Sequence, residues 1–165
     1  MAHHAKLDSF AGEKRSPTPH SAQAAFEKKV QAHCEKVLGS YDCKQLVVQF
    51  DQLIHGICPA SLEVMVLQVI VELLSNSLEH GFYSRQRGRI FVYIYCRTEG
   101  VQISVADDGW GFDGAPVDRT GFQLLRQFGR LSFRAQGGPF IPKAAVTVEI
   151  PAYAGDRLSG SSPRI

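Results

Sequence analysis

The sequence predicts an α+β fold of two layers, a mixed, mainly antiparallel sheet with helices packed on one face. Three features carry that expectation: a long stretch with a broad helical apolar face at 61–81, two neighbouring runs of β-branched and aromatic residues at 89–96 and 101–106, and the order in which helical and strand patterns follow one another. The chain has 165 residues, 44% hydrophobic and 21% charged, an ordinary composition for a globular domain. Its formal net charge is +2, too small to build a field that gathers nucleic acid or a membrane surface. Electrostatics therefore names no partner, and nucleic acid is not expected as one.

The elements follow in order. Residues 1–21 hold Ser9, Ser16, Pro17, Thr18, Pro19 and Ser21 among charges, and residues 152–165 are rich in Gly and Ser. Both ends are expected to be disordered tails, because such compositions bury too little apolar surface to offset the entropy of ordering. Residues 22–43 are read as a helical lead-in and 44–151 as the main domain. Within 21–38, Ala24, Phe26, Val30, Cys34, Val37 and Leu38 return mostly at helical spacing, with Ser21 as N-cap and Gly39 past the end. Residues 44–50 suit a short edge strand, which Gly56, Cys58 and Pro59 then break.

The long helix is the best-determined element. Leu62, Val66, Val69, Ile70, Leu73, Leu74 and Ser77 make one apolar-to-small face, with Ser61 placed to cap it and Gly81 to end it. The runs 89–96 and 101–106, joined at Glu99 and Gly100, read as a hairpin, 121–128 as a short helix, and 131–133 and 145–150 as closing strands.

No apolar run approaches the roughly 20 residues of a bilayer span, and the N-terminus lacks the apolar core of a secretory signal, so a cytoplasmic protein is expected. Cysteines stand at 34, 43, 58 and 96 without a C-x-x-C pair or histidines at zinc-binding spacing. They read as reduced thiols that pack in the core.

Two segments carry candidate chemistry. Glu72, Asn76, Glu79 and His80 are offset by zero, four, seven and eight positions, which puts them within an arc of about 100° on the long helix. A solvated face would have the same pattern, but Asn76 is a mediocre mid-helix residue and asks for a hydrogen-bond or metal-binding reason. The second segment is Asp107-Asp108-Gly109-Trp110-Gly111-Phe112-Asp113, at the end of a hydrophobic strand. Glycines at 109 and 111 allow backbone to approach a flat ligand, and a carboxylate there can accept from an exocyclic amine. A plain acidic turn, or a calcium loop without the alternating spacing of an EF-hand, would use the same residues.

Together the segments resemble the GHKL superfamily, the Bergerat-fold ATP-binding domain of gyrase, the heat-shock chaperone, histidine kinases and MutL. Glu72-Leu73-Leu74-Ser75-Asn76-Ser77-Leu78-Glu79-His80-Gly81 is similar to the family's N box, and the segment from Asp107 to Phe112 to its first glycine box. Thr120-Gly121-Phe122-Gln123-Leu124-Leu125-Arg126 resembles a reduced second glycine box, as in histidine kinases with a short lid, and only residues 113–120 separate the two boxes. Anti-sigma-factor serine kinases are the next nearest likeness.

The resemblance implies that ATP and Mg2+ are the cofactors. It makes Asn76 a magnesium ligand and Glu72 the catalytic residue that orients a nucleophile or a metal-bound water. It implies that Asp107 accepts from the adenine amine beside Gly109, Gly111 and Phe112, and that Thr120, Gly121 and Phe122 present a helix N-terminus to phosphate. His80 would donate to phosphate oxygens or simply finish the helix. Arg119 stands where the fuller second box has a glycine, and Pro142-Lys143-Ala144 replace a frequent Gly-Thr before the last strand. Both departures bear on catalysis more than on binding.

A dimerisation hairpin with its own phosphoacceptor needs about 60 residues. Only residues 1–43 precede the first strand, and His33 reads as a surface histidine. The expected partner is therefore a separate signalling protein: a response regulator, a phosphotransfer protein or an anti-anti-sigma factor. The alternative is a non-catalytic adaptor that keeps the fold and sequesters a regulatory protein. A generic ligand-binding α/β domain with accidental motifs is the third reading.

Overall fold

A computed structural model describes residues 18–41, 47–82, 85–111, 120–135 and 144–153. Helix α1 (Pro19–Ser40) leads into strand β1 (Val47–His55), helix α2 (Glu63–Asn76) and a π-helical turn (Ser77–Gly81). Strands β2 (Arg87–Arg97) and β3 (Gly100–Asp107), helix α3 (Thr120–Phe128), and strands β4 (Arg130–Ala135) and β5 (Ala144–Pro151) complete the order. The five strands run β1-β2-β3-β5-β4 across one sheet. Only β1 with β2 is parallel, so the sheet is mixed and mainly antiparallel.

Period-two patterning settles which face is covered. On β2, Ile90, Val92, Ile94 and Cys96 are buried while Arg89, Tyr93, Tyr95 and Arg97 are exposed. Register carries the covered face across to Ile103 and Val105 on β3 and to Val146 and Val148 on β5. The helices lie over this face. Met65, Val66, Val69, Ile70, Leu73 and Leu74 of α2 are buried there, each such side chain stabilising the fold by about 1.5–3 kcal/mol. On α1, Phe26, Val30 and Cys34 join the same core, and Lys29 Nζ pairs with Glu63 Oε2 at 2.5 Å to tie α1 to the start of α2.

Several boundaries differ from the expectation. Helix α1 begins at Pro19, and Thr18 caps it by accepting from the Ser21 N–H, because proline at the first helical position has no N–H to satisfy. Ser21 is thus inside the helix, and so is Gly39. Ser61 does not cap α2; Leu62 holds that place with no side-chain cap, its N–H donating to Pro59 O at 2.9 Å. Strand β1 runs on to His55, since Asp51, Leu53 and His55 face outward and leave the alternation intact. Residues 44–46 and most of the two expected tails lie outside the described residues.

Candidate functional site

The end of α2 meets the end of β3. Ser77, the first residue of the π-helical turn, donates from Oγ to Asp107 Oδ2 at 3.0 Å, and the Gly109 N–H donates to Asp107 Oδ1 at 3.0 Å. Asp107 is only 5% exposed. Burial holds its carboxyl above the usual carboxylate range, opposed by these two hydrogen bonds and by Arg85, while neighbouring Asp108 adds to the rise. A carboxylate with one acceptance used on each oxygen retains further lone pairs for an incoming donor.

The loop after Asp107 is fastened to the same helix end. Asp108 Oδ1 accepts from the Arg89 N–H at 2.8 Å, and Arg85 donates to Asp108 O while its guanidinium lies 5.9 Å from the Phe82 ring centroid. The Trp110 N–H donates to Gly81 O at 2.8 Å. A Cβ on Gly109 would fall 2.2 Å from Gly81 O, so only glycine admits this approach. Gly111 has φ of 85°, and Phe112 lies outside the described residues.

Glu72 and Asn76 are half-buried one turn apart. Asn76 Nδ2 donates to Glu72 O at 2.9 Å, which commits the donor end of the carboxamide to the helix. The first turn of α3 presses on both: a Cβ on Gly121 would lie 2.3 Å from Glu72 Oε1 and 3.2 Å from Asn76 Nδ2. The N–H groups that open a helix have no partner within it and carry partial positive charge, and here they open beside a carboxylate and a carboxamide.

The expected site residues separate accordingly. Glu72, Asn76 and Gly121 are brought together, and Ser77 joins this group to Asp107 and Gly109. Thr120 opens α3. Phe122, in the first turn of α3, buries its ring: it is 2% exposed and meets Phe133 edge to face with centroids 5.0 Å apart, anchoring α3 to the core. His80 is 46% exposed, with Nε2 3.9 Å from Glu79 Oε2. Ser77 was missed as a site residue; its signal was a hydroxyl on the apolar face directly after Asn76.

No protein-family model matches the chain, and no curated protein does. Solved structures do. The histidine kinase domain of the blue-light activated histidine kinase of Erythrobacter litoralis EL346 matches with a TM-score of 0.57 at 17% identity, over 92% of this chain and 71% of that one. Another structure of that blue-light activated kinase gives 0.53 at 18% identity, over 79% and 41%. Histidine kinase ThkA, solved in complex with response regulator protein TrrA, gives 0.52 at 14% identity, over 79% and 40%. The chain has the fold of a histidine kinase catalytic domain. It spans about two fifths of the length of the latter two kinase chains.

This histidine kinase fold accounts for the two-layer arrangement. No described helix is long and apolar enough to cross a membrane. Among the described residues no group of three or more His, Cys, Asp or Glu is placed to hold a metal ion. A divalent cation here would take one or two protein oxygens and complete its shell from phosphate and water, the habit of magnesium. The oxygen end of Asn76 and the carboxylate of Glu72 fit that donor set.

Proposed function

We propose that the chain is a histidine kinase-like ATP-binding domain of bacterial signal transduction, binding Mg-ATP and passing its γ-phosphoryl group to a separate protein. One observation carries the reading: the adjacent residues Asn76 and Ser77 lie one against the start of α3 and the other on the buried carboxyl of Asp107. Asn76 stands with Glu72 against the α3 N-terminus, and Ser77 holds Asp107. In this reading Asp107 accepts from the adenine amine, and Gly109 and Gly111 bring backbone against the base. The first turn of α3, at Thr120, Gly121 and Phe122, faces the phosphates with its N–H groups. Asn76 supplies an oxygen to magnesium, which when bound neutralises charge on the phosphoryl oxygens. Glu72 orients the acceptor group, and His80 at the rim donates to a phosphate oxygen.

The response regulator held by ThkA, together with this fold, supports a response regulator or phosphotransfer protein as the partner class. A fluorescent ATP analogue should saturate the protein more tightly with magnesium than without. Asn76→Ala, with circular dichroism unchanged, should lose that difference. No saturation at all would remove the proposal.

A second reading, a non-catalytic adaptor, is favoured by Ala144. It pairs with Asp107 across β3 and β5, where the frequent Gly-Thr of the resembled family is replaced, the departure that bears on catalysis more than on binding. Labelled γ-phosphate decides between them: transfer to a response regulator, phosphotransfer protein or anti-anti-sigma factor supports the kinase, and nucleotide binding without any transfer supports the adaptor.

A further inference from the structure

The helices cover one face of the sheet, and the other face carries an arrangement that the proposed nucleotide site does not use. On β2 its outward residues include Phe91, Tyr93 and Tyr95, of which Tyr93 is 41% and Tyr95 42% exposed. The Phe91 and Tyr93 rings are nearly parallel, at 14°, with centroids 6.4 Å apart. Arg97 lies over the Tyr95 ring, 4.6 Å from its centroid, and His55 of β1 flanks that ring at 4.9 Å. Register sets small residues beside this aromatic ridge. Phe91 faces Ala106 and then Ala145, and Tyr93 faces Ser104 and then Thr147. The Ser104 and Thr147 hydroxyls are hydrogen-bonded to each other at 2.6 Å, so the floor across β3 and β5 stays low. Beyond it, β4 turns Arg130 and Arg134 outward. Ridge and arginines stand three strand spacings apart, about 14 Å.

Charge sets this face off from the rest of the chain. Its strands turn out Arg87, Arg89, Arg97, Arg130 and Arg134 against Asp51 and Glu149. None of these arginines is in an ion pair with a described residue. The formal charge of +2 over the whole chain hides the excess, because the other surfaces offset it. A second copy laid face to face would set arginine against arginine, so the partner that complements this face is a polyanion. Open rings suit flat groups, and nucleic-acid bases offer their flat faces when they are unpaired.

We propose that the open face of the sheet binds single-stranded nucleic acid. Unpaired bases stack on Phe91 and Tyr93 and spread over the small residues of β3 and β5. Backbone phosphates meet Arg130 and Arg134 across the floor, with Arg89 and Arg97 at the two ends of the ridge. Stacking and phosphate contacts read no base edges, so preference among sequences is weak. Asp107 belongs to the covered face of β3, which puts this surface and the proposed nucleotide site on opposite sides of one sheet.

The test is fluorescence anisotropy of labelled oligouridylate and oligothymidylate of about 12 nucleotides, titrated with the full chain at about 50 to 200 mM salt. Both should saturate, a duplex of equal length should bind on the order of tenfold more weakly, and excess ATP should not displace them. Tyr93→Ala should weaken binding on the order of tenfold while Tyr93→Phe keeps it. Arg130→Ala combined with Arg134→Ala should lower the slope of log affinity against log salt by about 1.4, or about 0.7 for each phosphate contact removed. Circular dichroism checks the fold of each variant. Absence of saturation at the lower salt would overturn the proposal, as would displacement by ATP or affinity unchanged in both Tyr93→Ala and the double arginine variant. Capture by vesicles containing phosphatidylserine with no oligonucleotide bound would overturn it in favour of a membrane surface.

Discussion

Gly121→Ala separates the stability of α3 from the chemistry beside it. The added methyl would meet Glu72 Oε1 at 2.3 Å and Asn76 Nδ2 at 3.2 Å, so a group must move by about 1 Å to restore ordinary contact. The nearer atom is the far end of a flexible side chain, and an off-rotamer adjustment costs about 0.5–1.5 kcal/mol. Replacing glycine by alanine inside a helix returns about 0.5–1 kcal/mol. The two nearly cancel, so thermal unfolding should shift by no more than a few degrees, the equivalent of about 1 kcal/mol. Function should not be spared, because Glu72 is displaced and the opening N–H groups of α3 are partly covered. A misplacement of about 1 Å costs on the order of a hundredfold in rate. Phosphoryl transfer to the partner, or in an adaptor the affinity for Mg-ATP, is the quantity to measure beside the melting curve. Unchanged nucleotide affinity and transfer would refute the role given to this contact, and an unfolding loss above about 3 kcal/mol would show that Glu72 is not free to yield.

Three further substitutions test the other end of the site. Gly109→Ala drives a Cβ into the Gly81 carbonyl, backbone against backbone, so it should destabilise by about 2 kcal/mol or more in urea titrations and weaken nucleotide binding with it. Ser77→Ala removes a hydrogen bond to a buried carboxylate and should cost about 1.5–3 kcal/mol near neutral pH. That bond lowers the Asp107 pKa, so the cost should shrink in acid, where the carboxyl is protonated in both proteins; a pH-independent cost would contradict the assignment. Asp107 itself has a raised pKa in the folded state, so the stability linked to its protonation is present below its unfolded value and lost as pH rises through the folded one. Asp107→Asn should accordingly be more stable than wild type near neutral pH, by a margin that closes in acid, while losing selectivity for adenine over guanine nucleotides in competition titrations.

What was legible in the chain follows from which forces act locally. The hairpin of β2 and β3 and the apolar face of α2 were readable because burial imposes periods of two and 3.6 on neighbouring residues. Helix starts were less readable: Thr18-Pro19 and Ser61-Leu62 offer similar polar caps, and backbone geometry rather than composition chose Thr18 and Leu62. Strand β1 was cut short because Asp51 and His55 look like loop residues until their outward register against β2 is known. At the site, Glu72, Asn76 and Asp107 were singled out from residue type, but the contacts that join them were not. Ser77 on Asp107 and Gly121 on Glu72 link residues far apart in sequence, and no local pattern records such a meeting.

The π-helical turn at Ser77–Gly81 also fixes how this stretch can change in length. Losing one residue would close the wide turn to about 3.6 residues and leave whatever follows at nearly the same angle around the axis. The Gly81 carbonyl could then still meet the Trp110 N–H. Shorter relatives of this stretch should therefore keep residues equivalent to 108–111 unaltered, the turn and the loop free to vary separately.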